Sequence, residues 1–99
     1  MIARAADMDY LPALHALAWA YREGLGVARD ERQATHLFER AAVAGYAESQ
    51  YMLGLSYAQG SGVPVDGSMA LLWIKRAAEQ GHAGARQALA GLSLSVPSP

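Results

Sequence analysis

His15, His36 and His82 are the only imidazoles of the chain, and no two of them stand in the His-x-x-x-His spacing that brings two nitrogens to one metal from a single helix face. They read as surface or half-buried polar residues. Asp30 and Asp66 stand 36 residues apart and resemble a pair of acid–base carboxylates only until their context is considered. Each opens an apolar-periodic run, where an aspartate accepts from the free backbone N–H groups of a helix's first turn. The pairs Gly24-x-Gly26 and Gly60-x-Gly62 lack the third glycine of a dinucleotide fingerprint, and each follows a helical pattern where that fingerprint follows a strand. The chain carries no Ser-x-x-Lys, Gly-x-Ser-x-Gly or His-Glu-x-x-His, so serine acyl transfer and zinc hydrolysis have no motif to stand on. No catalytic residue, metal site or cofactor is expected, and the protein reads as a non-enzyme.

Composition narrows the partners. Lys and Arg number 8 against 9 Asp and Glu, a formal net charge of −1, and the signs are interleaved. Such a surface offers no basic footprint for nucleic acid or an anionic membrane. The absence of cysteine excludes a disulfide framework and thiolate chemistry and agrees with a reducing compartment. No apolar run approaches the length of about 18 residues that a membrane span needs, and Asp7 and Asp9 interrupt what a secretory signal would keep apolar. The expectation is a soluble cytoplasmic protein, or a periplasmic one if a signal was removed. At 99 residues, 53% of them hydrophobic, the chain has the size of one domain, and much of that fraction is alanine, whose small side chain lets helices approach closely.

The elements that position these residues follow from a repeat. Shifted by 36 positions the sequence falls on itself: Leu17 over Leu53, Tyr21 over Tyr57, Gly24 over Gly60, Gly26 over Gly62, Val27 over Val63, Asp30 over Asp66, Arg40-Ala41-Ala42 over Arg76-Ala77-Ala78, and Gly45 over Gly81. A period of this length marks a solenoid whose units bury their apolar faces only against neighbours. From about Leu11 to Glu23, Leu14, Leu17, Ala18 and Tyr21 form the stripe of a first A helix, with Pro12 in its first turn and Gly24 ending it. Asp30 caps a B helix striped by Ala34, Leu37, Phe38, Ala41 and Ala42, with Gln33 placed for a capping box and Gly45 as the stop. The second unit repeats the plan with Leu53, Gly54 and Tyr57, then Asp66, Ala70, Trp73, Ile74, Ala77 and Ala78, closed by Gly81. Trp73 is expected between helices. A third A helix runs from His82 to about Leu92. Arg4-Ala5-Ala6 repeats the later triplets, so the chain is expected to open at the end of a repeat, either cut from a preceding half-repeat or serving as a cap. The units are 11–46 and 47–82, with partial units at 1–10 and 83–93 and a disordered tail at 94–99.

The pattern carried by Leu53, Gly54, Tyr57, Gly60, Gly62, Val63, Asp66, Ala70, Trp73, Ala77, Ala78 and Gly81 resembles the Sel-1-like repeat, a relative of the tetratricopeptide repeat. The first unit departs from it with Ala18 for Gly, Leu37 for Trp and Ala28 for the Pro at 64, all tolerable for packing. The resemblance implies a right-handed α-solenoid of antiparallel helix pairs, about two and a half repeats long, that serves as an adaptor or scaffold for other proteins. Cysteine-rich relatives suggest a third role in binding cell-wall or β-lactam-type ligands, but this chain lacks their cysteines.

In the resembling folds the A helices line the concave side, and there the 36-residue shift makes rows of His15, Tyr51 and Gln87 and of Trp19, Leu55 and Gly91. His15, Trp19 and Arg22 fall on one face at i, i+4 and i+7, separate from Leu17 and Tyr21. The expected partner surface gathers His15, Trp19, Arg22, Glu48, Tyr51, Leu55 and Gln87, because Trp, Tyr and Arg bury much area at small entropic cost. The competing reading packs Trp19 between neighbouring A helices as core. A further alternative is end-to-end self-association through apolar end faces, with Leu89, Leu92 and Leu94 at the C-terminal end.

Overall fold

The computed structural model describes the backbone of residues 2–95 and the side chains of residues 10–91. Regular structure in it is helical: α1 (Ile2–Glu23), α2 (Glu31–Val43), α3 (Ala47–Gln59), α4 (Gly67–Glu79) and α5 (Ala83–Ser95). Each helix packs on the next in chain order, which stacks α1/α2 and α3/α4 as antiparallel pairs with α5 as an unpaired A helix. The result is a right-handed α-solenoid slab of 50 × 33 × 19 Å.

Both helical hairpins are closed by the same device. Gly24 and Gly60 each take φ 71°, and Gly26 and Gly62 take φ 77° and 76°, a left-handed conformation that costs glycine nothing. The loop then folds back so that Asp30 N donates to Tyr21 O and Asp66 N to Tyr57 O, at 2.8 and 2.9 Å. Asp30 Oδ1 accepts from Gln33 N and Asp66 Oδ1 from Met69 N, both at 3.1 Å. Because the Asp30 N–H is already bonded to Tyr21 O, the Gln33 side chain has no donor to close the expected capping box. Met69 occupies Gln33's place in the second unit, with the same cap geometry. Gly62 has a second duty: a Cβ there would collide with Glu31 O, so the second loop can lie directly on the start of α2.

Packing is tightest where α3 enters between two B helices. Leu53 is fully buried with Ala42 of α2 and Trp73 of α4, as expected for Trp73. A Cβ on Gly54 would stand 2.6 Å from Ile74 Cγ1 and 3.0 Å from Ala70 O, a separation real Cβ atoms do not tolerate. The same junction carries a polar link that runs from the interior to the surface: Gln50 Nε2 donates to Ala42 O, and exposed Gln80 Nε2 donates to Gln50 Oε1 and to Gly45 O, at 3.1, 3.0 and 2.9 Å. Those bonds tie the ends of α2 and α4 through α3.

The ends of the chain depart from the sequence reading. A single helix runs from Ile2 to Glu23, so the expected break near Tyr10 is absent and Pro12 lies within the helix rather than in its first turn. Asp9 stands where Gly45 and Gly81 stop later helices with φ of 104° and 91°. Without that glycine the helical path continues, and Pro12 forgoes one internal bond. Leu17 is not core: it is 41% exposed while its repeat-mate Leu53 is at 0%. Leu53 has a B helix on both sides, whereas no described helix lies on the N-terminal side of α1. The buried stripe of α1 is Leu11, Leu14 and Ala18. At the other end α5 continues through Ser95, so the expected tail loses its first residues to the helix. Residues 96–99 lie outside the described ones, as do the side chains of Leu92 and Leu94.

This asymmetry sets the expected stabilities. Leu53→Ala should cost about 2–5 kcal/mol, while Leu17→Ala should stay within about 1 kcal/mol. Urea denaturation of the two variants beside wild type measures the difference. In the same assay Asp66→Ala should cost about 1 kcal/mol through loss of the cap.

Candidate functional site

The face where α1 meets α3 collects most of the expected partner residues, and hydrogen bonding orders them. His15 and Trp19 share a helix face one turn apart, and Trp19 Nε1 donates to His15 Nε2 at 3.2 Å. That acceptor role leaves the His15 proton on Nδ1, which lies 2.8 Å from Ser49 Oγ on α3 and donates to it. Phe38 of α2, wholly buried, receives both rings edge-on, with centroids 5.3 Å from His15 and 6.1 Å from Trp19. Arg22 lies over the Trp19 ring at 5.5 Å and places Nη2 3.5 Å from Gln59 Oε1. A guanidinium over an indole is attracted by the negative face of the ring.

One repeat later the same junction recurs between α3 and α5. Tyr51 stacks on His82 with centroids 4.7 Å apart, and His82 Nδ1 accepts from Ala85 N at 3.0 Å, capping α5. Its Nε2 stands 3.9 Å from Glu48 Oε1. Under the 36-residue shift His15 corresponds to Tyr51 and Tyr46 to His82, and His15 meets Tyr46 edge-on at 5.4 Å. The two junctions therefore pair the same two positions with histidine and tyrosine exchanged, edge-on in the first and stacked in the second.

The expected residues fall into three groups. His15, Trp19 and Arg22 form a continuous ladder, half-buried, so Trp19 is neither a free groove residue nor sealed core. Glu48 and Tyr51 join through His82, and Leu55 packs against the same core cluster as Trp19. Gln87 is exposed on α5, and no hydrogen bond among the described residues ties it to the others. The capping and turn residues Gly24, Gly26, Asp30, Gly45, Gly60, Gly62, Asp66 and Gly81 lie at helix ends and loops, with Gly45 and Gly81 directly preceding Tyr46 and His82. Sequence reasoning missed His82, Ser49 and Phe38 as parts of the site. The repeat register held a signal for His82, since it places His82 over Tyr46 just after a helix-stopping glycine. Ser49 carried none, because its unit-one counterpart is Ala13.

Electrostatics at the site centre on His15. Burial holds its pKa below the ordinary imidazole value, Glu48 acts to raise it and His82 to lower it. Protonation would also put a hydrogen on Nε2, facing the Trp19 N–H. Among the described residues no group of three or more His, Asp or Glu is placed to hold a metal, and no helix is long and apolar enough to cross a membrane.

Stacked helix pairs with capped, repeated hairpins define the protein as a helical-repeat solenoid. The Sel1 repeat model matches residues 11–46 and 47–82, and the chain belongs to that family. It is similar to a Sel1 repeat protein from Oxalobacter formigenes, at 42% identity and a TM-score of 0.80, over 82% of this chain and 61% of that one. It is also similar to c5321, a protective antigen present in uropathogenic Escherichia coli strains that displays an SLR fold, at 38% identity and a TM-score of 0.79 over 85% of this chain and 18% of that one. The chain thus spans less than two thirds of the length of these solved relatives. No curated protein matches it. Sel1 repeats are generally protein–protein interaction modules and generally non-catalytic.

The lowered His15 pKa has a definite sign. The folded state binds fewer protons than the unfolded one just below the ordinary value of 6.5, so this group's contribution is intact above that value and is lost as pH falls through it. Denaturation midpoints of wild type should therefore fall more steeply on acidification than those of His15→Gln, whose side chain does not titrate.

Proposed function

We propose that this protein is a non-catalytic adaptor that binds a peptide or helix of a partner protein on the face formed by its A helices. The observation that supports the reading is the locked aromatic ladder. Trp19 and Tyr51 keep part of their rings exposed, yet hydrogen bonding to His15, the Arg22 guanidinium and stacking on His82 hold them in place. Side chains ordered before binding lose little entropy on contact, which is what a hot-spot residue needs. Exposed Glu48 and Gln87 supply a polar rim that sets orientation and register, with Leu55 as apolar floor.

A second reading, end-to-end self-association, is favoured by Leu17 at 41% exposure where its repeat-mate is sealed, with Tyr10 at 52% and Leu25 at 64% also exposed on the first unit. Sedimentation at two protein concentrations decides it, since a monomer at both rules that assembly out at those levels.

Tyr51→Ala is the cleaner test of the first reading, because Trp19 also packs on buried Phe38 and its truncation costs stability. Peptides selected from a displayed library against wild type should lose affinity for Tyr51→Ala by about 30-fold, the loss expected of a hot spot. They should also weaken with the charge reversal Glu48→Lys. Unchanged affinity in both folded variants would remove the A-helix face as the binding surface.

A further inference from the structure

One hydrogen bond on the A-helix face exists in a single protonation state. Trp19 Nε1 donates to His15 Nε2 at 3.2 Å, and an indole N–H can only donate. The bond therefore needs a lone pair on Nε2, which the neutral imidazole provides when its proton sits on Nδ1. That proton is given to Ser49 Oγ at 2.8 Å. An imidazolium carries a hydrogen on both nitrogens. The bond to Ser49 survives, but on the other side two N–H groups point at each other. The added charge also meets the N–H edge of the indole, the positive side of its quadrupole, instead of the face that attracts cations. Of the two rings, Trp19 is held less firmly. His15 is bonded to a wholly buried serine and flanked edge-on by Phe38 at 5.3 Å and Tyr46 at 5.4 Å. Half-buried Trp19, without its bond to His15, is left with apolar packing, the edge contact to Phe38 at 6.1 Å and the Arg22 guanidinium at 5.5 Å.

We propose that His15 is a proton-operated latch on Trp19: the neutral ring fixes the indole on the A-helix face, and the imidazolium releases it. Among the described residues the charged and titratable groups around the latch come from several elements. Arg22 stands on the same helix, over the far side of the indole. Glu48 acts from α3 and His82 from the turn before α5, while α2 presents the Phe38 ring and the turn before α3 the Tyr46 ring. Burial disfavours the imidazolium, Glu48 favours it and His82 opposes it, with burial the largest effect, so release belongs below the ordinary value of 6.5. The consequence for capture rests on the reading of the A-helix face as the partner surface. A released Trp19 must be ordered again when a partner arrives, so binding weakens on acidification.

The test is nitrogen-15 relaxation of the two indole N–H groups, Trp19 and Trp73, as pH is lowered from above 6.5 through the His15 transition. The Trp19 order parameter is expected to fall from about 0.85, the value of a rigid group, to under about 0.6, with the midpoint of the His15 imidazole signals. Buried Trp73 should stay rigid throughout. His15→Gln, which does not titrate, should lose the pH dependence, and His82→Gln should keep it. Trp19 that stays ordered while His15 titrates would overturn the latch. So would loss of order at both indoles together, which is unfolding, or a transition that follows His82 instead. Peptides selected on the wild type should bind it about three- to tenfold more weakly below the transition than above it, the cost of ordering one side chain, and His15→Gln should show no such step. Equal affinity on both sides of the transition would overturn the control of capture. Peptides indifferent to Tyr51→Ala would remove the A-helix reading instead, and the order parameters would then decide the latch by themselves.

Discussion

Burial of an A helix between two B helices, as α3 lies between α2 and α4, is the constraint on which the rest of the structure depends. Leu53 shows it at its fullest, enclosed with Ala42 of the preceding pair and Trp73 of its own. Burying such a side chain contributes about 1.5–3 kcal/mol, and no single helix pair can supply the enclosure alone. Glycine at position 54 follows from the same demand, since α3 can settle against Ile74 and the Ala70 carbonyl only without a Cβ. In the first unit Ala18 holds the equivalent place at 0% exposure, so close approach is kept with one carbon more. Where no described B helix lies on one side, the rule predicts exposure among the described residues, and Leu17 has it.

Polar and aromatic groups also act at the junctions between the pairs. Gln50 and Gln80 join α2, α3 and α4 through backbone carbonyls, and the Ser49 hydroxyl joins α3 to His15 of α1. Each of these bonds crosses from one unit to the next, which gives the stack a register that apolar packing by itself leaves loose. The exchanged pairs His15–Tyr46 and Tyr51–His82 meet at the same two repeat positions, edge-on in one order of the rings and stacked in the other. The proposed partner face is built from these junction contacts, so its shape depends on how the units stack and not on one helix.

The first unit and the second carry one plan with different side chains at equivalent places: Arg22, Phe38 and Met52 stand where Ala58, Ile74 and Ala88 stand one repeat later. The loops make the complementary point. The hairpin ends are nearly identical in backbone, with Tyr21 O and Tyr57 O accepting from the two capping aspartates, because glycine conformation and an N-cap suffice to make them whatever surrounds them.

Much was legible in the chain before any contact was known. The 36-residue register, the hairpin loops around Gly24 and Gly60, the caps at Asp30 and Asp66 and the burial of Trp73 all rest on local backbone preference or on apolar periodicity, which a sequence states directly. The site was only partly legible. Spacing on one helix face placed His15, Trp19 and Arg22 together, but the bond of His15 to Ser49 and the packing of His15 and Trp19 on Phe38 come from residues 19 or more positions away. The length of α1 depended on a missing glycine at position 9, and the exposure of Leu17 on the described helices, none of which packs on that side. Periodicity reports which face of a helix is apolar, whereas burial requires something to be packed against it. The sequence by itself therefore determined the repeat, its turns and its helical faces, and only the tertiary structure decided which of those faces are covered, since covering is a property of the stack.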